Sequence, residues 1–140
     1  VAVDAHLVVK KPEALTFEEA ASLPLVAHTA WQVMFEVMDA KAGDKIFIGA
    51  GSGGVGTVAI QLAKAHGLHV ITSTSTKNVD WVKALGADEV IDYKQQDPAE
   101  TVRDLDFVFD TMGGDDQAKL YQMLKPNGML VSISTPPDEE

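Results

Sequence analysis

The stretch "FIGAGSGGVGTVAIQLAKAHG", residues 47–67, places six glycines between an apolar stub and the end of a helical pattern. Gly51, Gly53 and Gly56 have the spacing Gly-x-Gly-x-x-Gly, and the pattern gains meaning because it sits between a strand and the start of a helix. In the physical account of such a loop, the first glycine permits a tight turn. The second lets the backbone approach a diphosphate, and the third lets helix and sheet pack closely. Ser52 lies inside the loop. The amides near Gly54 and Val55, at the helix N-terminus, offer hydrogen bonds and a partial positive charge to phosphate. A dinucleotide is the expected occupant of this corner.

Outward from the loop, short apolar runs alternate with amphipathic stretches. "KIFIG", "HVIT", "EVID", "DFVFD" and "MLVSIS" are rich in Val, Ile and Phe, are bounded by Gly, Asp or Lys, and read as strands. Between the first two, Val55, Val58, Ala59, Leu62 and Ala63 recur at helical spacing, and Gly67 stops the helix. Shorter helices fit "KNVDWVKALG", with Trp81, Val82 and Leu85 on one side, and "DDQAKLYQMLKPNG", ended by Pro126 and Gly128. Upstream, Thr16 and Glu19 are placed as a capping box, and a second helical pattern follows Pro24. The first dozen residues read as extended chain. Repeated strand–helix–strand units enforce parallel pairing with right-handed crossovers, so the expected fold is α/β: a doubly wound, Rossmann-type parallel sheet of about five strands with helices on both faces.

A chain of 140 residues is the size of one domain. Eleven basic against twenty-one acidic residues give a net charge of −10, which disfavours nucleic acid and anionic lipid as general partners, so any bound anion must be held locally. No apolar run approaches the ~18 residues needed to cross a bilayer. With no cysteine there is neither a disulfide nor a thiolate metal site, which fits a reducing, cytoplasmic setting. The final "PPDEE" reads as a solvated acidic tail.

The end of the second strand bears on the choice of dinucleotide. An NAD site usually carries Asp or Glu about 20 residues beyond the loop, bonded to the ribose 2′-hydroxyl. Here "ITSTSTKN" puts Thr74 and Ser75 at that place, with room and hydroxyl donors for a 2′-phosphate, and Lys77 follows with a charge able to pair with it. NADPH is the expected cofactor in preference to NADH. The bland alternative is that the hydroxyls satisfy local backbone groups and Lys77 is a surface lysine.

Taken together, "TFEEAASLPLVAHTAWQVM", "KAGDKIFIGAGSGGVGTVAIQLAKAHG", "KALGADEVIDY" and "LKPNGMLVSIS" resemble the medium-chain dehydrogenase/reductase superfamily, in particular its zinc-independent quinone oxidoreductase-like and enoyl reductase-like branch. The resemblance implies a cofactor domain over residues 16–140, preceded in residues 1–15 by the tail of a catalytic, GroES-like domain. That barrel and the family's last Rossmann strand would lie outside these residues. It also implies a cleft between the two domains and is compatible with a homodimer.

By the same resemblance Thr29 matches a position near the nicotinamide, and Leu25 stands where zinc-dependent relatives carry a cysteine ligand. Leucine offers no lone pair, so zinc-free chemistry is implied. His28 reads as a packed or surface histidine, and His6, His66 and His69 as incidental. Tyr93 matches a tyrosine that approaches the adenosine 2′-phosphate in NADPH-using relatives. Asp110, Thr111, Met112, Gly113 and Gly114 fall at a strand's carboxyl end, where such sheets bind ligands, and the cofactor ribose is expected there. Ser132 and Ser134 are expected to share one strand face, with Ser134 toward the nicotinamide.

The expected reaction of the whole protein is hydride transfer from NADPH to a quinone, an enone or another activated double bond of a small molecule, and the catalytic residues are not assignable within this chain. Two other classes fit a glycine loop in a doubly wound sheet: an S-adenosylmethionine-dependent methyltransferase and a non-catalytic dinucleotide-sensing module. The three-glycine spacing, and Thr74 and Ser75 in place of an acid, count against the first.

Overall fold

The computed structural model describes residues 2–115 and 117–134, and the acidic stretch 136–140 lies outside them. One sheet runs through the molecule. Its strands are β1 (Lys45–Ile48), β2 (His69–Thr74), β3 (Glu89–Asp92), β4 (Leu105–Asp110) and β5 (Leu124–Ser132), all parallel, in the order β3-β2-β1-β4-β5. The chain builds from β1 to β3 in one direction and then crosses back to place β4 on the other side of β1. The C-terminal ends of β1 and β4 therefore flank the topological switch point, where sheets of this kind open a crevice.

Period-two alternation explains the two layers. Ile46, Ile48, Val70 and Phe109 are buried on one face, under α2 (Pro24–Trp31), α3 (Gly54–Ala65) and α4 (Val79–Ala84), which contribute Ala30, Ala59, Ile60, Ala63 and Val82. Phe47, Ile71, Ile91 and Val108 face the other way, against Ala99 of α5 (Pro98–Thr101) and Met123, in the 3-10 turn that follows α6 (Gln117–Leu120). The short helix α1 (Phe17–Ser22) opens on the expected capping box: Glu19 N donates to Thr16 Oγ1 at 3.2 Å, and Thr16 N to Glu19 Oε2 at 2.8 Å. Pro24 begins α2, which continues as a π-helical turn over Gln32–Val37.

Two sequence expectations are corrected here. Trp81 is half exposed while its neighbour Val82 is fully buried, because successive helical positions point about 100° apart and α4 presents only one narrow face to the sheet. The helix expected after Asp115 is cut short, and β5 already begins at Leu124. "LKPNG" is therefore not a helix terminator but a hump within the strand pair. Leu124 pairs with Leu105 and Met129 with Phe107, so four residues of β5 face one of β4. Asn127 takes φ 68° at the hump, and a Cβ on Gly128 would lie 2.9 Å from the Leu105 carbonyl oxygen. The link from β3 to β4 carries α5, capped by the Asp97 carboxylate accepting from Ala99 N at 2.9 Å.

Candidate functional site: a glycine corner beside a cleft

The corner between β1 and α3 is cleared of side chains by necessity. A Cβ on Gly51 would stand 2.4 Å from Thr72 Oγ1, and one on Gly56 would stand 2.3 Å from the Ala50 carbonyl oxygen. Real carbons do not approach so closely, so any other residue at either position forces its neighbours to shift. Gly56 thus packs the helix against the loop at Ala50 and Gly51, where close packing of helix on sheet was expected. Gly51 does not act through a special turn geometry: the left-handed residue is Ala50, at φ 47°, and Gly51 is instead pressed against β2. Gly53 is the N-cap of α3, without a side chain to cap it, so the amides of the first turn at Gly54, Val55 and Gly56 have no intrahelical acceptor. Among the first-turn residues Gly54 is exposed, and a Cβ there would only brush Val26 Cγ1 at 3.5 Å.

Hydroxyls tie the corner to its neighbours. Thr72 Oγ1 donates to the Ile48 carbonyl at 2.6 Å, Thr111 Oγ1 to the Gly49 carbonyl at 2.9 Å, and Thr74 Oγ1 to Ser52 Oγ at 2.9 Å. Thr74 is 1 % exposed. It is a strut of the loop and not a surface donor, which corrects its expected role. Ser75 is half-buried and accepts from Asn78 Nδ2 at 3.3 Å, whereas Lys77 is exposed.

Beside the corner lies a cleft of about 490 Å³, floored by Phe47, Gly49 and Ser73. One wall is the turn after β3, from Tyr93 to Asp97, and the other is Met112 and Gly113 with α6. The wall after β4 is organised by Asp110, only 3 % exposed. Its carboxylate accepts from Met112 N at 3.0 Å, Gly113 N at 2.9 Å, Gln117 Nε2 at 2.8 Å and Ser132 Oγ at 2.9 Å. Burial pushes its pKa upward, but these hydrogen bonds outweigh burial and hold the carboxyl below its ordinary value. Asp110 is thus a latch that shapes the loop, and the left-handed glycines Gly113 and Gly114 let the chain fold around it. The latch also corrects the reading of β5. Ser132 turns to Asp110, the strand ends there, and exposed Ser134 does not share its face in a continuing period.

The family model for zinc-binding dehydrogenases matches residues 54–140, more than half of the chain. The chain belongs to the zinc-binding dehydrogenase family. Within the medium-chain dehydrogenase/reductase superfamily it sits in the quinone oxidoreductase-like branch. It is 37 % identical over 145 residues to a Danio rerio protein named NAD(P)H oxidoreductase RTN4IP1, mitochondrial, covering 97 % of this chain and 38 % of that one. A trans-enoyl reductase, pgmF of Aspergillus terreus, is 44 % identical over 98 residues, covering 68 % of this chain and 28 % of the enzyme. Among solved structures, the quinone oxidoreductase from Coxiella burnetii superposes with a TM-score of 0.86 at 42 % identity, covering 91 % of this chain and 40 % of that one. The chain spans about two-fifths of the length of the first and last of these proteins.

In this zinc-binding dehydrogenase family member, α2 lies against the glycine corner through Val26, and Thr29 follows one turn later, its hydroxyl donating to the Leu25 carbonyl at 2.8 Å. Leu25 is 80 % exposed and His28 is also exposed. Among the described residues no group of three or more His, Cys, Asp or Glu is arranged to hold a metal ion, and no helix is long and apolar enough to cross a membrane. The structure brings Gly51, Ser52, Gly53, Gly54, Val55, Thr74 and Thr111 to one corner, with Tyr93 and Gly113 on opposite walls of the cleft beside it. Sequence reasoning missed Gln117, which holds the Asp110 carboxylate. It stands in a segment whose local pattern shows only an amphipathic helix.

Proposed function

We propose that this chain is the cofactor domain of a zinc-independent oxidoreductase, binding NADPH in preference to NADH. In the whole protein it would serve hydride transfer to a quinone, an enone or a similar activated double bond. The observation that carries this reading is the corner in which a Cβ on Gly51 or Gly56 would force its neighbours to shift, while the first-turn amides of α3 are left without intrahelical acceptors. A diphosphate fits such a place because main-chain atoms and the helix dipole both meet it directly.

In this reading Ser52, Gly53, Gly54 and Val55 hold the diphosphate, with the loop kept in register by Thr74. Ser75, Lys77 and Tyr93 stand at the adenosine end. Thr111 and Gly113 shape the ribose wall, and Thr29 and Ser134 lie toward the nicotinamide. The bound cofactor supplies the hydride, and the protein's task is to orient it and exclude water. Zinc independence is supported by Leu25, which has no lone pair for a metal. The names of the relatives, which include a quinone oxidoreductase and a trans-enoyl reductase, support the class of acceptor. In this reading residues 16–140 form the cofactor domain, and residues 1–15 lead from a catalytic domain that completes the cleft.

Calorimetry with NADPH, NADH and S-adenosylmethionine tests the reading. Saturable heat with both reduced nucleotides, tighter for NADPH, is the expected result. Silence with both at millimolar concentration, or heat with S-adenosylmethionine instead, overturns it.

A further inference from the structure

We propose that Met112, on the lip of the cleft, is a selective oxidation site of this chain: a hydroperoxide converts its thioether to the sulfoxide, and the sulfoxide weakens what the cleft binds. The second half of the proposal rests on the dinucleotide reading above, the first half on the setting of the side chain alone.

The chain has five methionines, and the fold treats them unequally. Met34, Met38 and Met123 are packed into the two cores and are no more than 4 % exposed. Met129 stands in β5 opposite Phe107 and is 40 % exposed. Met112 is 66 % exposed and belongs to no helix or strand. A thioether must meet the oxidant in solvent, so the order of exposure is the expected order of reaction.

Neighbouring groups hold Met112 in this position. Thr111 Oγ1 donates to the Gly49 carbonyl at 2.9 Å, while Met112 N and Gly113 N donate to Asp110 Oδ1 at 3.0 and 2.9 Å. Gly113 then turns the chain with φ 65°. The backbone is tied down on both sides, and the side chain is left outside the cores, lining the cleft with Phe47, Gly49 and Leu120. None of these bonds uses the sulfur, so the sulfur can change oxidation state without opening the latch.

The step balances. The sulfur attacks one peroxide oxygen, and the O–O bond breaks as the S–O bond forms. Sulfur gives up two electrons, the peroxide takes them, and the other oxygen leaves with the proton as water or an alcohol. The product is larger, and its oxygen is an acceptor where the thioether was nearly apolar. A ligand that fills the cleft must strip water from that oxygen, a cost the thioether does not impose.

Peptide mapping by mass spectrometry, on the whole chain during exposure to hydrogen peroxide, reads the site. Met112 is expected to gain oxygen several-fold faster than Met129, with Met34, Met38 and Met123 last, and saturating NADPH is expected to slow Met112 and not Met129. Oxidation of Met129 or of a buried methionine ahead of Met112 overturns the site. Calorimetry with NADPH reads the consequence. Oxidised native protein and oxidised Met129→Leu are expected to bind several-fold more weakly than before treatment, and oxidised Met112→Leu to bind as it did untreated. Methionine sulfoxide reductases with a thiol reductant are expected to restore the native affinity. Unchanged affinity once Met112 is fully oxidised, or an equal loss in Met112→Leu, overturns the control of binding. If the untreated chain binds neither NADPH nor NADH, the dinucleotide reading falls and takes that control with it. Binding of both with no response to Met112 oxidation overturns the control alone.

Discussion

Thr74 and Ser52 meet across the glycine corner, the Thr74 hydroxyl donating to Ser52 Oγ at 2.9 Å, so that the end of β2 grips the loop that follows β1. Thr74→Val keeps the shape of the buried side chain and deletes this bond. The expected cost is about 1 kcal/mol in chemical denaturation. If the dinucleotide reading holds, a weakening of NADPH and NADH by similar factors should accompany it. A change confined to NADPH would show that Thr74 reads the 2′-phosphate directly.

Gly54 and Gly56 stand two residues apart in the first turn of the helix and are opposite in what they tolerate. Gly56→Ala drives a methyl onto backbone, the Ala50 carbonyl, and is expected to cost about 1–3 kcal/mol as the corner shifts. Gly54→Ala meets only Val26 Cγ1 at contact distance, so it should be neutral or stabilise by up to about 1 kcal/mol through helix propensity. Urea midpoints of the two variants separate these outcomes, and equal losses would mean that the corner is looser than its geometry implies.

Asp110 sets an acid limit. Its folded pKa lies below its unfolded value, so the unfolded chain binds the extra proton first, and the stabilisation is fully present above about pH 5. It fades as pH falls from the unfolded value through the depressed folded one. Asp110→Asn keeps the outline, with its amide able to face Ser132 and a flipped Gln117, and loses the titration. The variant's melting temperature should therefore fall less steeply than the native one between pH 5 and pH 2.5, a window about the ordinary Asp value. Parallel curves would remove Asp110 from the account of acid sensitivity. Asp110→Ala, which strands the loop donors, should cost about 3 kcal/mol at neutral pH.

Zinc should be irrelevant to this chain. Purified protein treated with EDTA and then given one equivalent of zinc is expected to show one melting temperature throughout, because the exposed Leu25 offers no ligand atom. Stoichiometric zinc surviving dialysis would contradict the proposal.

The sheet, its parallel sense and the corner were legible because they rest on local signals. Glycine spacing, β-branched runs and the Thr16–Glu19 box each act over a few residues. What escaped depended on neighbours distant in sequence. Thr74 looked like a free donor because Ser52 is 22 residues away. The Asp110 latch joins Gly113, Gln117 and Ser132, and only a folded strand end brings them together. "LKPNG" misled for another reason. Proline and a left-handed asparagine break helices and bulge strands equally well, and pairing with β4 made the choice.

The hump between Leu124 and Met129 lies at the amino-terminal end of the sheet, remote along β4 from Asp110. Because the surplus residues loop outward there, the pairing of Val108, Phe109 and Asp110 with Leu130, Val131 and Ser132 starts afresh beyond it. The sheet thus possesses an expansion joint: a change of length in this segment is expected to be absorbed at the hump, leaving the opposite rim in alignment.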